Sequence, residues 1–175
     1  MLNYKNYRSV DLRYKRTLNF LKGGLNAPGP ILDLGEPNPF TKIMLNNGYE
    51  VLNTYIDLDE EPEKLQDKKV KAVTAFEILE HLVNPLGVLK NLQAEKLFTT
   101  VPLNLWFAEA YKNEQDPWDC HFHEFEDWQF DWLLDKAGWK IIRSEKWNSP
   151  VLKIGIRPLL RLITPRYYAV EAIRK

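Results

Sequence analysis

The chain is short of everything that would staple it or anchor it. Cys120 is its one cysteine in 175 residues, which excludes an intrachain disulfide and fits a reducing compartment. No apolar run approaches the roughly 20 residues needed to span a bilayer. The start, Met1-Leu2-Asn3-Tyr4-Lys5, lacks the apolar core of a secretory signal. A soluble cytoplasmic protein is the expectation, with no transmembrane segment. Net charge is absent too, with 24 basic and 24 acidic residues. The charge is unevenly placed: residues 1–30 carry six basic side chains against Asp11, and residues 153–175 carry six against Glu171. Such basic ends can bind an anionic partner or lie against the acidic centre of their own chain. The second is expected, and no nucleic-acid partner. What remains is a length that suits one domain with an ample core.

Punctuation along the chain marks alternating elements. Ser9 is placed to cap a first helix whose apolar face is Val10, Tyr14, Leu18 and Leu21, stopped by Gly23-Gly24. A turn-rich stretch leads to an apolar strand at 31–34. Asn38-Pro39 reads as N-cap and first helical residue, and Asn47-Gly48 ends that helix. Strands are expected at 49–56, 70–76, 96–102, 139–147 and 167–174, with helices at 85–92 and 127–137. Residues 103–124 form a long aromatic-rich connection, a functional loop unless 105–111 is helical. Its Trp106, Phe107, Tyr111, Trp118 and Phe122 are candidates to cover a crevice and exclude water. Residues 154–168 place Arg157, Arg161 and Arg166 among leucines. A connection packed on the sheet is expected there rather than a membrane-surface helix. Strands alternating with helices, then a final strand pair, give an α/β fold: a mostly parallel sheet flanked by helices.

Ligands of open parallel sheets sit beyond the carboxyl ends of the strands. Three motifs fall there. Asp33-Leu34-Gly35 ends the first strand, where a glycine permits a tight turn and close approach to a ligand. The helix opening at Asn38 would aim backbone N–H groups toward an anionic group. Asp57-Leu58-Asp59 ends the next strand, and a carboxylate there can hold ribose hydroxyls or an adenine amino group. Glu77-Ile78-Leu79-Glu80-His81-Leu82-Val83-Asn84-Pro85 follows the third, with Glu77 facing the crevice and His81 anchoring the turn. Further on, His121 and His123 would share one face of an extended chain and, with Cys120, offer three metal ligands. No second Cys or His pair supports them, so no metal site is expected.

In this order, the three motifs resemble class I S-adenosylmethionine-dependent methyltransferases of the small, type 11-like kind. The glutamate-histidine-leucine turn with its later proline is the most specific match. The late His121-Phe122-His123-Glu124 segment before Ala137-Gly138-Trp139 adds to it. The resemblance implies a Rossmann-like fold with an antiparallel last strand, covering a single domain of residues 1–175: an N-terminal helix in 1–30, a core in 31–147, and a basic connection and last strand in 148–175. It implies S-adenosylmethionine as cofactor, contacted by Gly35, Glu36, Asn38, Asp57, Leu58 and Glu77. It implies methyl transfer to a small-molecule acceptor, with His123 as the residue lining the acceptor pocket or acting as base. Two departures stand out. Only one strand fits between Gly35 and Val70, so the sheet is shortened by about one β–α unit. The loop after Gly35 reads Glu36-Pro37-Asn38-Pro39, where the family has further glycines, and its prolines carry no N–H. These departures support an alternative, a catalytically inactive protein of the same fold acting as a binding or scaffolding partner. In that case the 36–40 loop or the 106–122 segment fills the crevice.

Overall fold

The computed structural model describes residues 4–28, 30–67, 70–116, 119–149 and 155–175, with side chains from residue 10 onward. Trp118, Lys153 and Ile154 lie outside the described residues.

The first helix, α1 (Tyr4–Gly24), starts five residues before Ser9, which therefore sits inside it and does not cap it. Residues 4–8 contain no glycine or proline to stop a helix from reaching back. Its Phe20 and Leu21 are buried, with Tyr14 and Leu18 packed beside them. The chain then runs through β1 (Pro30–Asp33), α2 (Pro39–Asn46), β2 (Glu50–Asn53), β3 (Ala72–Phe76), α3 (Pro85–Asn91) and β4 (Lys96–Pro102). It closes with α4 (Asp127–Lys136), β5 (Trp139–Trp147), α5 (Ile156–Ile163) and β6 (Tyr167–Arg174).

The strands form one sheet in the order β2-β1-β3-β4-β6-β5. The first four are parallel; β6 runs antiparallel between β4 and β5. The shortening is visible as an edge: among the described residues β2 is the single strand between Gly35 and β3, and only β1 pairs with it. It spans four residues rather than the expected eight, because beyond Asn53 the chain turns inward and Thr54 N–H donates to Gly35 O at 3.3 Å.

Both faces of the central strands are covered, which is why they read as unbroken apolar runs. On one face Leu32, Val73, Ala75, Leu97 and Val101 pack with Val88, Leu89, Phe130, Leu134 and Trp139. On the other, Ile31, Ala72, Phe98 and Ala169 meet Phe20, Leu21, Phe40 and Met44 of α1 and α2. The buried Glu171 on β6 is paired with Lys96 at 3.2 Å and Arg143 at 2.8 Å. A Cβ at Gly24 would overlap its carboxylate, so the stop signal of α1 is also a packing requirement.

The choice left open at 105–111 falls to loop: these residues are not helical, and Trp106-Phe107 forms a turn. Leu105 through Ala108 is a contiguous apolar run, not a 3.6-residue stripe, and only Leu105 is buried, while Trp106 is 75% exposed. One expectation is corrected: the basic connection is not packed on the sheet. It forms α5, in which no residue is buried and Ile156, Leu159, Leu162 and Ile163 face out. No helix among the described residues is long and apolar enough to cross a membrane.

Candidate functional site

The chain passes from β1 outward to β2, then returns to β3 on the other side of β1. That reversal opens a crevice beyond the carboxyl ends of β1 and β3. A cavity of about 190 Å³ lies there, lined by Arg13, Tyr14, Asp33, Asn38, Glu77 and Thr100, with Thr17, Phe40 and Phe76 beside them. A wider recess of about 520 Å³ sits at the opposite, amino ends of the strands, against Pro30, Lys71 and Glu95, the wrong end for a switch-point ligand.

On the β1 side the buried side-chain polar groups have local partners. Asp33 is 3% exposed. Its carboxylate accepts from Thr74 Oγ1 at 2.7 Å, Thr41 Oγ1 at 3.0 Å and Asn53 Nδ2 at 3.2 Å. Burial still outweighs these three donors and raises its pKa above the usual aspartate range. Gly35 has φ +89°, and a Cβ there would lie 2.9 Å from Ile78 Cδ1, so both conformation and space call for glycine. Its N–H donates to Thr54 Oγ1 at 2.7 Å. The N–H groups expected to face a ligand from α2 are already taken. Asn38 Oδ1 accepts from Phe40 and Thr41 N–H, and Asn38 N–H donates to Thr41 Oγ1. Glu36 and Asn38 are exposed. The 36–40 loop therefore borders the cavity without filling it.

The second motif is structural in its contacts. Asp57 Oδ1 accepts from Asp59 and Glu60 N–H at 3.0 and 3.2 Å, closing its own exposed turn. Leu58 points into the core. Asp59 reaches the third motif instead, accepting from Val83 and Asn84 N–H at 3.0 and 2.8 Å.

On the β3 side, Glu77 has φ +53°, a conformation that costs a non-glycine residue about 1–2 kcal/mol. Its N–H is held by Thr100 O at 3.0 Å. Its Oε2 accepts from Arg13 Nη1 at 3.2 Å, while its Oε1 is buried without a hydrogen-bond partner. Burial raises the Glu77 pKa against the opposing pull of Arg13 and the Thr100 hydroxyl. Arg13 was not foreseen. Its one sequence signal is the polar pair Arg13/Thr17, four residues apart, interrupting the apolar face of α1. Arg13 and Tyr14 narrow the crevice, a role expected of the loops.

A 3₁₀ turn, Leu79–His81, follows. Glu80 is 1% exposed, its Oε1 lies 3.9 Å from His81 Nε2, and its Oε2 has no partner. Burial, with the nearby Glu77 charge, holds its pKa well above the glutamate range. His81 Nδ1 is 3.0 Å from Cys120 O, so the histidine does anchor its turn, to residues 39 positions away. Burial lowers its pKa. The 103–124 segment is fastened to this turn: Phe122 and His123 N–H both donate to Glu80 O, at 2.8 and 3.1 Å. That places the His121 ring edge-on to His81, centroids 4.9 Å apart. His121 Nδ1 meets Glu124 Oε1 at 2.8 Å. Burial would raise the Glu124 pKa, but His121, the Tyr111 N–H and Arg166 outweigh it and hold it low. Cys120, His121 and His123 do not converge. Cys120 Sγ faces the Asn113 and Asp116 carbonyls, and His123 stacks on Phe125 with Nε2 3.4 Å from Val83 O. His123 does not line the cavity.

No protein-family model matches the chain, and no curated protein matches it in sequence. Solved structures do match. The 1,6-didemethyltoxoflavin-N1-methyltransferase of Burkholderia thailandensis, crystallised with 1,6-didemethyltoxoflavin and S-adenosylhomocysteine, superposes with a TM-score of 0.65 over 98% of this chain and 84% of that one, at 18% identity. A methyltransferase from Archaeoglobus fulgidus, dependent on S-adenosylmethionine, gives 0.66 over 94% of each chain, at 16% identity. The chain has the class I S-adenosylmethionine-dependent methyltransferase fold. The [4+2]-cyclase SpnF shares it, at a TM-score of 0.63 and 15% identity over 92% of this chain and 81% of that one. A methyltransferase fold thus hosts more than one chemistry, and function has to be argued from the site.

Proposed function

We propose that the chain binds S-adenosylmethionine in the crevice between α1 and the carboxyl ends of β1 and β3, and passes its methyl group to a small-molecule acceptor. The observation that carries this reading is Glu77. It is held at a strained backbone angle at a strand end, beside a cavity, with one buried carboxylate oxygen lacking a donor. Strain of that kind concentrates at ligand sites, and the orphaned oxygen suits a hydroxyl or ammonium donor.

The residues fit the cofactor in kind. Gly35 permits backbone approach, Asn38 and Thr100 supply polar groups on the wall, and Glu36 stands exposed beside Gly35. Asn38 and Glu77 line the cavity, Gly35 and Glu36 stand between Asp33 and Asn38 at its rim, and Asp57 and Leu58 are engaged by their own turn and by the core, so the proposed contacts narrow to Gly35, Glu36, Asn38 and Glu77. In size the cavity of about 190 Å³ falls below the roughly 300 Å³ at the small end of ligand pockets. Binding therefore requires Arg13 and its helix to shift. When bound, the cofactor supplies a sulfonium-activated methyl group, and positioning supplies much of the rate. His123 takes part only if the acceptor lies against residues 121–125. His123→Ala tests that once an acceptor is known, and unchanged turnover removes it.

Calorimetric titration with S-adenosylmethionine and S-adenosylhomocysteine tests the reading directly. Saturable binding at one site is expected, weakened by Glu77→Gln. Absence of heat at millimolar ligand, with the chain folded, overturns it.

A further inference from the structure

We propose that Glu80, His81 and His121 form a binding site for a single divalent transition-metal ion of the zinc class. The carboxylate oxygen and ring nitrogens of these three residues all lie within 4.8 Å of one another. Two ligands on a shared zinc, each about 2.1 Å from it, are at most about 4.2 Å apart. Modest side-chain rotation closes the difference.

The proton inventory favours a cation. His81 Nδ1 faces a backbone carbonyl and His121 Nδ1 faces the Glu124 carboxylate. Both partners accept, so in the neutral ring each Nδ1 carries the hydrogen and each Nε2 keeps a lone pair. Metal-binding histidines are oriented in this way, with the second ring nitrogen donating to a carbonyl or carboxylate. Glu124 is in turn fixed by the Tyr111 N–H at 3.0 Å and Arg166 at 3.4 Å.

The independent sign of a missing ligand is Glu80. Its side chain is 1% exposed, and Oε2 has no donor. Burying carboxylate oxygens without donors is costly, and a cation held by Glu80 relieves it. The cluster is also built in advance. Glu80 and His81 share one tight turn, and two N–H bonds onto Glu80 O hold His121 against them. Two histidines and one carboxylate leave room for water or another ligand on the ion. This set differs from the Cys120–His121–His123 trio, whose side chains diverge.

The test uses the full chain, metal-free and without a polyhistidine tag, titrated with Zn²⁺ against a chromophoric chelator and with Co²⁺ by visible absorption. One equivalent should bind and raise Tm, as any ligand of the folded state does. Glu80→Gln and His121→Ala should each weaken binding at least tenfold. His123→Ala and Cys120→Ser should bind as wild type. The Co²⁺ spectrum of the wild-type chain should show no thiolate charge-transfer band, a readout that survives if a variant fails to fold. No binding at millimolar metal overturns the proposal. So does undiminished binding in Glu80→Gln and His121→Ala, or a thiolate band. The inference stands apart from methyl transfer, because every readout is metal and none is cofactor or turnover.

Discussion

The two walls of the crevice are built alike and satisfied differently. Each has a carboxylate where a parallel strand ends, buried at Asp33 and half-buried at Glu77. Asp33 on β1 receives three side-chain donors, all from residues within the sheet and α2. Glu77 and Glu80 after β3 each leave one buried oxygen with none. Since buried polar groups are ordinarily paired, the first wall reads as scaffold and the second as the place where something is meant to bind. The backbone agrees. The β1 wall places its positive φ at a glycine, where it costs little, and the β3 wall places one at Glu77.

The sharpest way to break this contrast is at Asp33. Asp33→Ala should cost about 3 kcal/mol or more, because three donors lose their acceptor at about 1–3 kcal/mol each. Chemical denaturation measures it, and a loss under about 1 kcal/mol would mean that the first wall is not scaffold. Next comes Glu77→Gln. If the second wall binds ligand, S-adenosylhomocysteine affinity should fall about ten- to hundredfold, or roughly 1.5–3 kcal/mol. Equal calorimetric affinity in variant and wild type would remove Glu77 from the site.

A smaller effect is written in pH. The unfolded Asp33 carboxyl titrates near about 3.9, and burial raises its folded value. Between the two the folded chain holds the proton more tightly, so this carboxyl's contribution to stability falls as pH rises through that window. The stability difference between wild type and Asp33→Asn should therefore shrink from about pH 3.5 upward and then level off above the folded value. Parallel curves would contradict the raised pKa. Smallest of all should be Asp57→Ala, which removes an exposed turn cap and should change stability by less than about 1 kcal/mol. A tenfold loss of cofactor affinity would instead return Asp57 to the binding site.

Much of the frame was legible before any coordinates. The strands Lys96–Pro102, Trp139–Trp147 and Tyr167–Arg174 stand where apolar and β-branched patterning put them, and both Asn-Pro pairs do open helices. Patterning, caps and breakers are local properties, so local sequence carries them. The start of α1 lies outside what local signals mark because residues 4–8 hold no breaker, and 105–111 is loop because its apolar residues have no helical period.

What only the tertiary structure decided lies between residues far apart in the chain. Arg13 meets Glu77 across 64 positions, and His81 meets Cys120 across 39. The spacing of His121 and His123 grouped them with Cys120 as conceivable metal ligands, with no metal site expected, and in the fold these three side chains diverge. An extended segment puts alternate side chains on one face only while it stays extended. Here Glu80 O takes two consecutive N–H groups, from Phe122 and His123, and the chain bends around it. The sequence alone determined which chemistry could assemble at the strand ends: an aspartate, two glutamates and histidines. Which of these share a partner, and which are left buried without one, depends on distances that no local pattern encodes.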